Sequence, residues 1–355
     1  MNRFRIGLAL LACGVIGSAQ TPPSQRVQEA VRKHMLANKV TGASVAISEG
    51  GRLQFQAGFG ESDIENKVRA TPETVYRLAS ISKVITATAV MQLVEQGKID
   101  LDADIRTYVP EFPDKGKVVT VRHLLTHTSG VRHYKLGELD NTSPFATVTA
   151  SLNRFINDPL LHAPGEKETY STYAFNLLAR AVETQGGRFF REYLKENVFD
   201  KARMAASGLE VQAEIVPNRA RGYLLKGDRT VNCEFADISY KWAGGGMFST
   251  APDMCRFGDA LLSGSLLKAQ TFASMMEPQK LGDGKPLPTR GLSWALGNFR
   301  GSRAIAHGGA QQGTKTFLLI VPNTKTVIAV LTNFESHNPG ELANAVCEAW
   351  FGEPK

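Results

Sequence analysis

The stretch Thr74-Val75-Tyr76-Arg77-Leu78-Ala79-Ser80-Ile81-Ser82-Lys83-Val84-Ile85-Thr86-Ala87-Thr88-Ala89-Val90-Met91-Gln92-Leu93 decides how the rest of the chain is read. Its first four residues have strand character, and the apolar run from Val84 to Leu93 is long enough for a helix. The join falls at Ser80, which therefore sits where a helix begins. There its hydroxyl lies near the unpaired N–H groups of the first turn and the positive end of the helix dipole. Lys83 follows three residues later, on the same helical face. A serine hydroxyl is a poor nucleophile until a base takes its proton. A lysine held beside it, desolvated and near other cations, has its pKa lowered and can take part. Taken alone, Ser-x-x-Lys also fits an N-cap serine with a solvated lysine, and Ser82 is a second candidate cap.

Outward from this stretch the chain reads as α/β (α+β): an antiparallel sheet flanked by helices, with an inserted helical lobe. Residues 25–38 form an amphipathic helix, with Val27, Val31, Met35 and Leu36 roughly on one face. Residues 42–48 and 52–60 are strands joined at Gly50-Gly51, a β-hairpin. Gly97 stops the Ser80 helix. From residue 101 to 187 strand signals fade, and residues 119–126, 145–157 and 173–184 read as helices of the lobe. Residues 219–225 and 247–249 are short strands, and residues 252–262 a helix with Pro252 in its first turn. Four strands then follow at hairpin spacing, residues 294–299, 303–307, 315–321 and 326–332, and residues 341–351 close the chain as a helix. The cleft is expected between lobe and sheet, where Ser80 meets residues from both.

Composition narrows the function. The chain has 355 residues, 43% hydrophobic and 21% charged, an ordinary globular profile. A net charge of +7 without any Lys/Arg run gives no basis for nucleic-acid binding. Residues 1–19 read as a cleaved signal peptide: a basic start at Asn2-Arg3-Phe4-Arg5, an apolar run over 6–17 too short to span a bilayer, and small residues at Gly17-Ser18-Ala19. That implies export to the periplasm or the medium, with one catalytic domain over 25–355. Leu10-Leu11-Ala12-Cys13 loosely resembles a lipobox, so lipidation of Cys13 is the one route to a membrane. The apolar Gly14-Val15-Ile16 beyond it weighs against that route. Cys233, Cys255 and Cys347 form no C-x-x-C motif and leave room for one disulfide of undetermined pairing.

Ser80 needs partners for proton transfer and donors for an oxyanion. Tyr170, in Glu168-Thr169-Tyr170-Ser171-Thr172-Tyr173, offers a phenol at the mouth of a lobe helix. Beside Lys83 its pKa is expected to fall from about 10 and make it a base. Tyr173 is a weaker candidate in the same loop, and either tyrosine also fits a packing role. His307-Gly308-Gly309-Ala310 follows a strand, and its glycines let backbone N–H groups approach a ligand. His307 could donate to a substrate carboxylate, or be an exposed histidine in a turn. His123 and His127 are four apart but lack the carboxylate of H-E-x-x-H, and with His133 they do not read as metal ligands. His127 is expected to make structural hydrogen bonds at a helix end.

The order Ser80-Ile81-Ser82-Lys83, Tyr170-Ser171-Thr172, His307-Gly308-Gly309 resembles the three motifs of the serine β-lactamase-like family. That family holds class C β-lactamases, D-alanyl-D-alanine carboxypeptidases, aminopeptidases and carboxylesterases. The flanks Leu124-Leu125-Thr126-His127-Thr128-Ser129-Gly130 and Ala243-Gly244-Gly245-Gly246-Met247-Phe248-Ser249 agree. Tyr108-Val109-Pro110-Glu111-Phe112-Pro113 and Ser239-Tyr240-Lys241-Trp242 point to the branch of the mitochondrial serine β-lactamase-like protein and its bacterial relatives. The resemblance implies a β-lactamase/transpeptidase-like fold, with Ser80 as acylated nucleophile and Lys83 as its proton partner. It implies Tyr170 as general base and later proton donor, and the N–H groups of Ser80 and Ala310 as the oxyanion hole. His307, Gly308, Gly309 and Thr172 would line the substrate site. No metal or organic cofactor is implied. Two departures stand out: Thr172 replaces the asparagine of Tyr-x-Asn, and His307 replaces the lysine of K-T-G. Both weaken the grip on a β-lactam and favour a small ester, a peptide or a cell-wall substrate. A true β-lactamase and a non-catalytic penicillin-binding or scaffold protein remain alternatives, and oligomeric state stays open.

Overall fold

The computed structural model describes residues 21–352. The segment read as a signal peptide, with Cys13, therefore lies outside the described residues. Helix α1 (Pro23–Asn38) leads into strand β1 (Gly42–Glu49), which turns at Gly50-Gly51 into β2 (Arg52–Asp63) and the short edge strand β3 (Val68–Arg69). Helix α2 (Ser82–Glu95) carries the Ser80 motif at its start and ends before Gly97, whose φ of +67° is the left-handed turn that glycine adopts freely. After the lobe and α3 (Tyr173–Gly186) comes α4 (Ala251–Leu262). Strands β4 (Ala295–Phe299), β5 (Ser302–Gln311), β6 (Thr314–Val321) and β7 (Thr326–Thr332) then form a meander, and α5 (Pro339–Phe351) closes the fold. The seven strands make one antiparallel sheet in the order β4-β5-β6-β7-β1-β2-β3.

Strand β7 shows why the sheet has a helical layer on both faces. All seven of its residues are buried. Val327, Ala329 and Leu331 point into one core, with α2, α3 and α4. Ile328 and Val330, between them, point into the other, with α1 and α5. The period-2 alternation of a strand, applied to a run that is apolar from Val327 to Leu331, demands two cores. Each such side chain contributes roughly 1.5–3 kcal/mol through burial. At Gly258 of α4 a Cβ would sit 2.6 Å from Val327, so the glycine lets that helix lie directly on β7. The three cysteines among the described residues are free; Cys255 packs in one core and Cys347 in the other, so the sheet separates them.

Three expectations need correcting. The helices read over 119–126 and 145–157 shrink to Val121–Leu125 and Val148–Leu152, because Thr120 and Thr147 turn outward and cap them. The strand read over 303–307 runs on to Gln311, so His307 and its glycines lie inside β5, not in a turn. The strand read over 219–225 is the hairpin Tyr223–Lys226 with Arg229–Asn232. Among the described residues no helix is long and apolar enough to cross a membrane.

Candidate active site

Ser80 stands in a tight turn, Ala79–Ile81, that delivers the chain into α2. Ala79 has φ +49°, a left-handed conformation that costs a residue with a Cβ about 1–2 kcal/mol. The surroundings hold it there. Thr314 and Thr316 of β6 donate their hydroxyls to the carbonyls of Arg77 and Leu78, at 3.0 and 2.8 Å. The N–H of Leu78 donates to the Met247 carbonyl at 2.8 Å. Ser82 is not a cap: its Oγ accepts the N–H of Met247 at 3.2 Å. Gly309 of β5 packs against this turn, and a Cβ there would lie 2.1 Å from Thr316 Oγ1 and 2.3 Å from the Leu78 carbonyl oxygen.

Lys83 is wholly buried on α2, and its Nζ lies 3.2 Å from Ser80 Oγ. Two other oxygens face it, Thr172 Oγ1 at 3.0 Å and the Gly244 carbonyl at 2.5 Å. Burial holds its pKa well below the usual 10.5. A neutral amine has two hydrogens and one lone pair. Gly244 and Thr172 take the hydrogens, which leaves the lone pair for the Ser80 hydroxyl. Thr172 is 2% exposed and its oxygen accepts from Lys83, which leaves one O–H to donate where an asparagine amide would offer two.

Tyr170 donates its hydroxyl to Ser80 Oγ at 2.7 Å. The expected fall in its pKa does not occur: burial of the hydroxyl pushes it up to about 12, against smaller opposing pulls from Ser80, Arg290 and Thr172. The residue as a whole is 36% exposed and lines the cleft. Lys83 Nζ sits over the ring face, 4.7 Å from its centre, not at the phenol oxygen. His127 holds the loop in place. Its Nδ1 accepts the N–H of Ser171 at 3.2 Å, its carbonyl accepts that of Thr169 at 2.7 Å, and its ring centre is 4.4 Å from that of Tyr170. His123 Nδ1 accepts the N–H of Thr120, and His133 Nδ1 that of Thr172. All three histidines thus serve the backbone. Tyr173 turns away, donating to Glu138 at 3.0 Å and stacking on Phe155.

The sheet wall is β5. His307, Gly308, Gly309 and Ala310 line the same cleft as Ser80, Tyr170 and Thr172, a cavity of about 770 Å³. Burial, then Lys83 and Arg290, lower the His307 pKa to about 3, so the ring is neutral. Its Nδ1 lies 2.8 Å from the Gly308 carbonyl, an acceptor, and so carries the hydrogen. That leaves Nε2 an acceptor, and the expected donation to a substrate carboxylate has no proton behind it. The cleft's cations are ones the sequence reading passed over: Arg290, paired with Glu168 at 2.6 Å, Lys315, and the buried Lys241.

A family model described as Beta-lactamase matches residues 27–346. The mitochondrial serine β-lactamase-like protein LACTB of Homo sapiens is 31% identical, over 81% of this chain and 70% of its own. Among solved structures, the octameric penicillin-binding protein homologue from Pyrococcus abyssi is 26% identical with a TM-score of 0.78, covering 93% of this chain and 77% of that one. The D-amino acid amidase from Ochrobactrum anthropi shares the fold, at 22% identity and a TM-score of 0.80, covering 92% of this chain and 98% of that one.

Proposed function

The chain belongs to the β-lactamase family of serine hydrolases, and from that footing we propose that it is an exported hydrolase that forms an acyl-enzyme on Ser80 with a small ester or peptide. The observation that carries this is the convergence on one oxygen: Lys83 Nζ at 3.2 Å and Tyr170 Oη at 2.7 Å from Ser80 Oγ.

The hydrogen bonds set the order of events. Tyr170 donates to Ser80 Oγ, so the serine's own proton points at the Lys83 lone pair. Lys83 takes that proton as Oγ bonds to the substrate carbonyl carbon. The oxyanion that develops faces the backbone N–H groups of Ser80 and Ala310, each worth about 10²–10³ in rate. As the bond to the leaving group breaks, Tyr170 protonates that group. The phenolate regains its proton from water in the open cleft and the Lys83 ammonium gives one up to that water, so the net transfer is from the serine to the leaving group. In the second half Lys83 takes a proton from water, whose oxygen attacks the acyl carbon, and Ser80 leaves protonated. A phenol held up to about 12 suits an acid better than a base. The base role expected of Tyr170 thus passes to Lys83.

A neutral His307, and a Thr172 with a single O–H to donate, favour esters and peptides over β-lactams. The test is acid-quenched intact mass during turnover of p-nitrophenyl butyrate and of benzylpenicillin, beside Ser80→Ala. The expected result is ester turnover with a transient adduct on Ser80, and loss of at least about 10⁴ in kcat/KM in the variant. Ester hydrolysis by Ser80→Ala at the parent rate, or neither turnover nor adduct in the parent, would overturn the reading. Penicillin consumed faster than ester would make the chain a β-lactamase.

A further inference from the structure

Next to the catalytic lysine, the Ser239–Lys241 turn precedes the short helix Trp242–Gly245 that presents the Gly244 carbonyl to Lys83. Lys241 lines the cleft and is 2% exposed, yet its Nζ has no hydrogen-bond or ion-pair partner among the described residues. Its Nζ lies over the rings of Tyr134 and Tyr240, 5.3 and 5.2 Å from their centres. Gln311, the residue after Ala310 on β5, also lines the cleft, and its Oε1 and Nε2 are both buried without a partner. The two residues face each other across Gly245, where an added Cβ would lie 3.5 Å from the Lys241 side chain and 3.7 Å from Gln311 Oε1. A buried polar group without a partner costs about 1–3 kcal/mol, so such a cluster is not retained for stability.

Among the described residues no carboxylate lies within ion-pair distance of Lys241, and the two nearby ones have partners of their own. Glu210 is held on two sides by Arg77, and Glu335, which also lines the cleft, accepts the N–H of Gly313 at 2.8 Å. We propose that Lys241 and Gln311 form a subsite for a carboxylate carried on the acyl half of the substrate. The half is fixed by position. Tyr170, which protonates the leaving group, lies with His307 and within the field of Arg290. Gln311 lies four residues further along β5, about 13 Å from His307, on the far side of the Ala310 oxyanion donor. The substrates implied are half-esters of dicarboxylic acids, or peptides whose acyl residue bears a carboxylate. Lys315, on the cleft wall, adds to the same attraction. The role of the acyl half rests on the hydrolase reading above; the anion site itself does not.

Two measurements separate the two. The first is the ratio of kcat/KM for mono-p-nitrophenyl adipate over p-nitrophenyl hexanoate, a pair matched in chain length and differing in the terminal carboxylate. The parent is expected to favour the adipate by about 10–100-fold, the worth of a hydrogen bond to a charged group. Lys241→Met and Gln311→Leu should each lower that ratio about tenfold or more, with folding checked by thermal unfolding. The second is calorimetric binding of monomethyl adipate to Ser80→Ala, with and without Lys241→Met. Binding that Lys241→Met abolishes supports the subsite even if the protein hydrolyses neither ester. A ratio and a binding isotherm that both variants leave unchanged would overturn it.

Discussion

The site buries two lysines and treats them in opposite ways. Lys83 lies against three oxygens, of Ser80, Thr172 and Gly244, and every hydrogen and lone pair it has is accounted for. Lys241 lies against two aromatic rings and an unpaired carboxamide. Burial lowers both pKa values, Lys83 well below its usual value and Lys241 to about 7. Desolvation alone therefore says nothing about role. What distinguishes them is whether the protein supplies acceptors. A lysine whose partners are complete is a working part of the resting site, and one without partners is set for something that arrives.

The comparison breaks most visibly at Lys83. Lys83→Met removes the base and keeps the bulk of the side chain, and kcat/KM for an ester should fall by about 10³–10⁴, near the upper end for a general base. The fold should survive, since a methionine at this site no longer has to be desolvated as an amine. Comparable turnover in Lys83→Met, measured beside Ser80→Ala to exclude contaminants, would move the base role back to Tyr170.

Tyr170→Phe is expected to cost less, about 10²-fold, and its pH profile is more telling than its size. The active form of Lys83 is the neutral amine, so kcat/KM rises with pH through a midpoint well below 10.5 and is lost as pH falls through it. The phenol stays protonated to about 12, so it adds no limb in the working range. The Lys83 limb should persist in Tyr170→Phe. Its disappearance would mean that the phenol, not the amine, titrates. A smaller effect is expected at Gly309→Ala, where the new Cβ would press on Thr316 and the Leu78 carbonyl. Displacing β5 from the Ser80 turn should cost about 1–3 kcal/mol of stability and about tenfold in kcat/KM.

Ser80, Lys83, Tyr170 and the β5 glycines were legible in the sequence because each belongs to a short local pattern: one helical turn, one loop, one strand. The strand meander and the hairpin at Gly50-Gly51 were legible for the same reason. Tyr170's pKa went the other way because burial is set by residues distant in sequence, and the sequence reading counted only the nearby charge. His307 was read as a donor because its tautomer depends on the Gly308 carbonyl, a backbone detail. Lys241 stood in a quoted motif without a role, since nothing in Ser239-Tyr240-Lys241-Trp242 says that its head group is buried and unpaired. Arg290 lies in a stretch without pattern and reaches the cleft through its pairing with Glu168. The lobe helices were overextended because Thr120 and Thr147 do not announce themselves as caps among other polar residues.

The smallest expected effect tests the other half of the comparison without any substrate. The native Lys241 loses its proton near pH 7, whereas the unfolded chain keeps it to about 10.5. Across that window the unfolded state binds more protons, so stability rises with pH. Lys83, lowered in the same direction, adds to the slope. Lys241→Met removes one of the two contributions. The variant should therefore be more stable than the parent at pH 7 and below, with an advantage that shrinks as pH approaches 10.5. In a chain of this size each 1 kcal/mol gained moves Tm by roughly 2 °C, so the shift at pH 7 is a few degrees. Thermal unfolding at pH 6, 7, 8 and 9 reads both the gain and its decline. A variant less stable than the parent at pH 7 would mean that Lys241 has a partner in the folded chain and is not waiting for one.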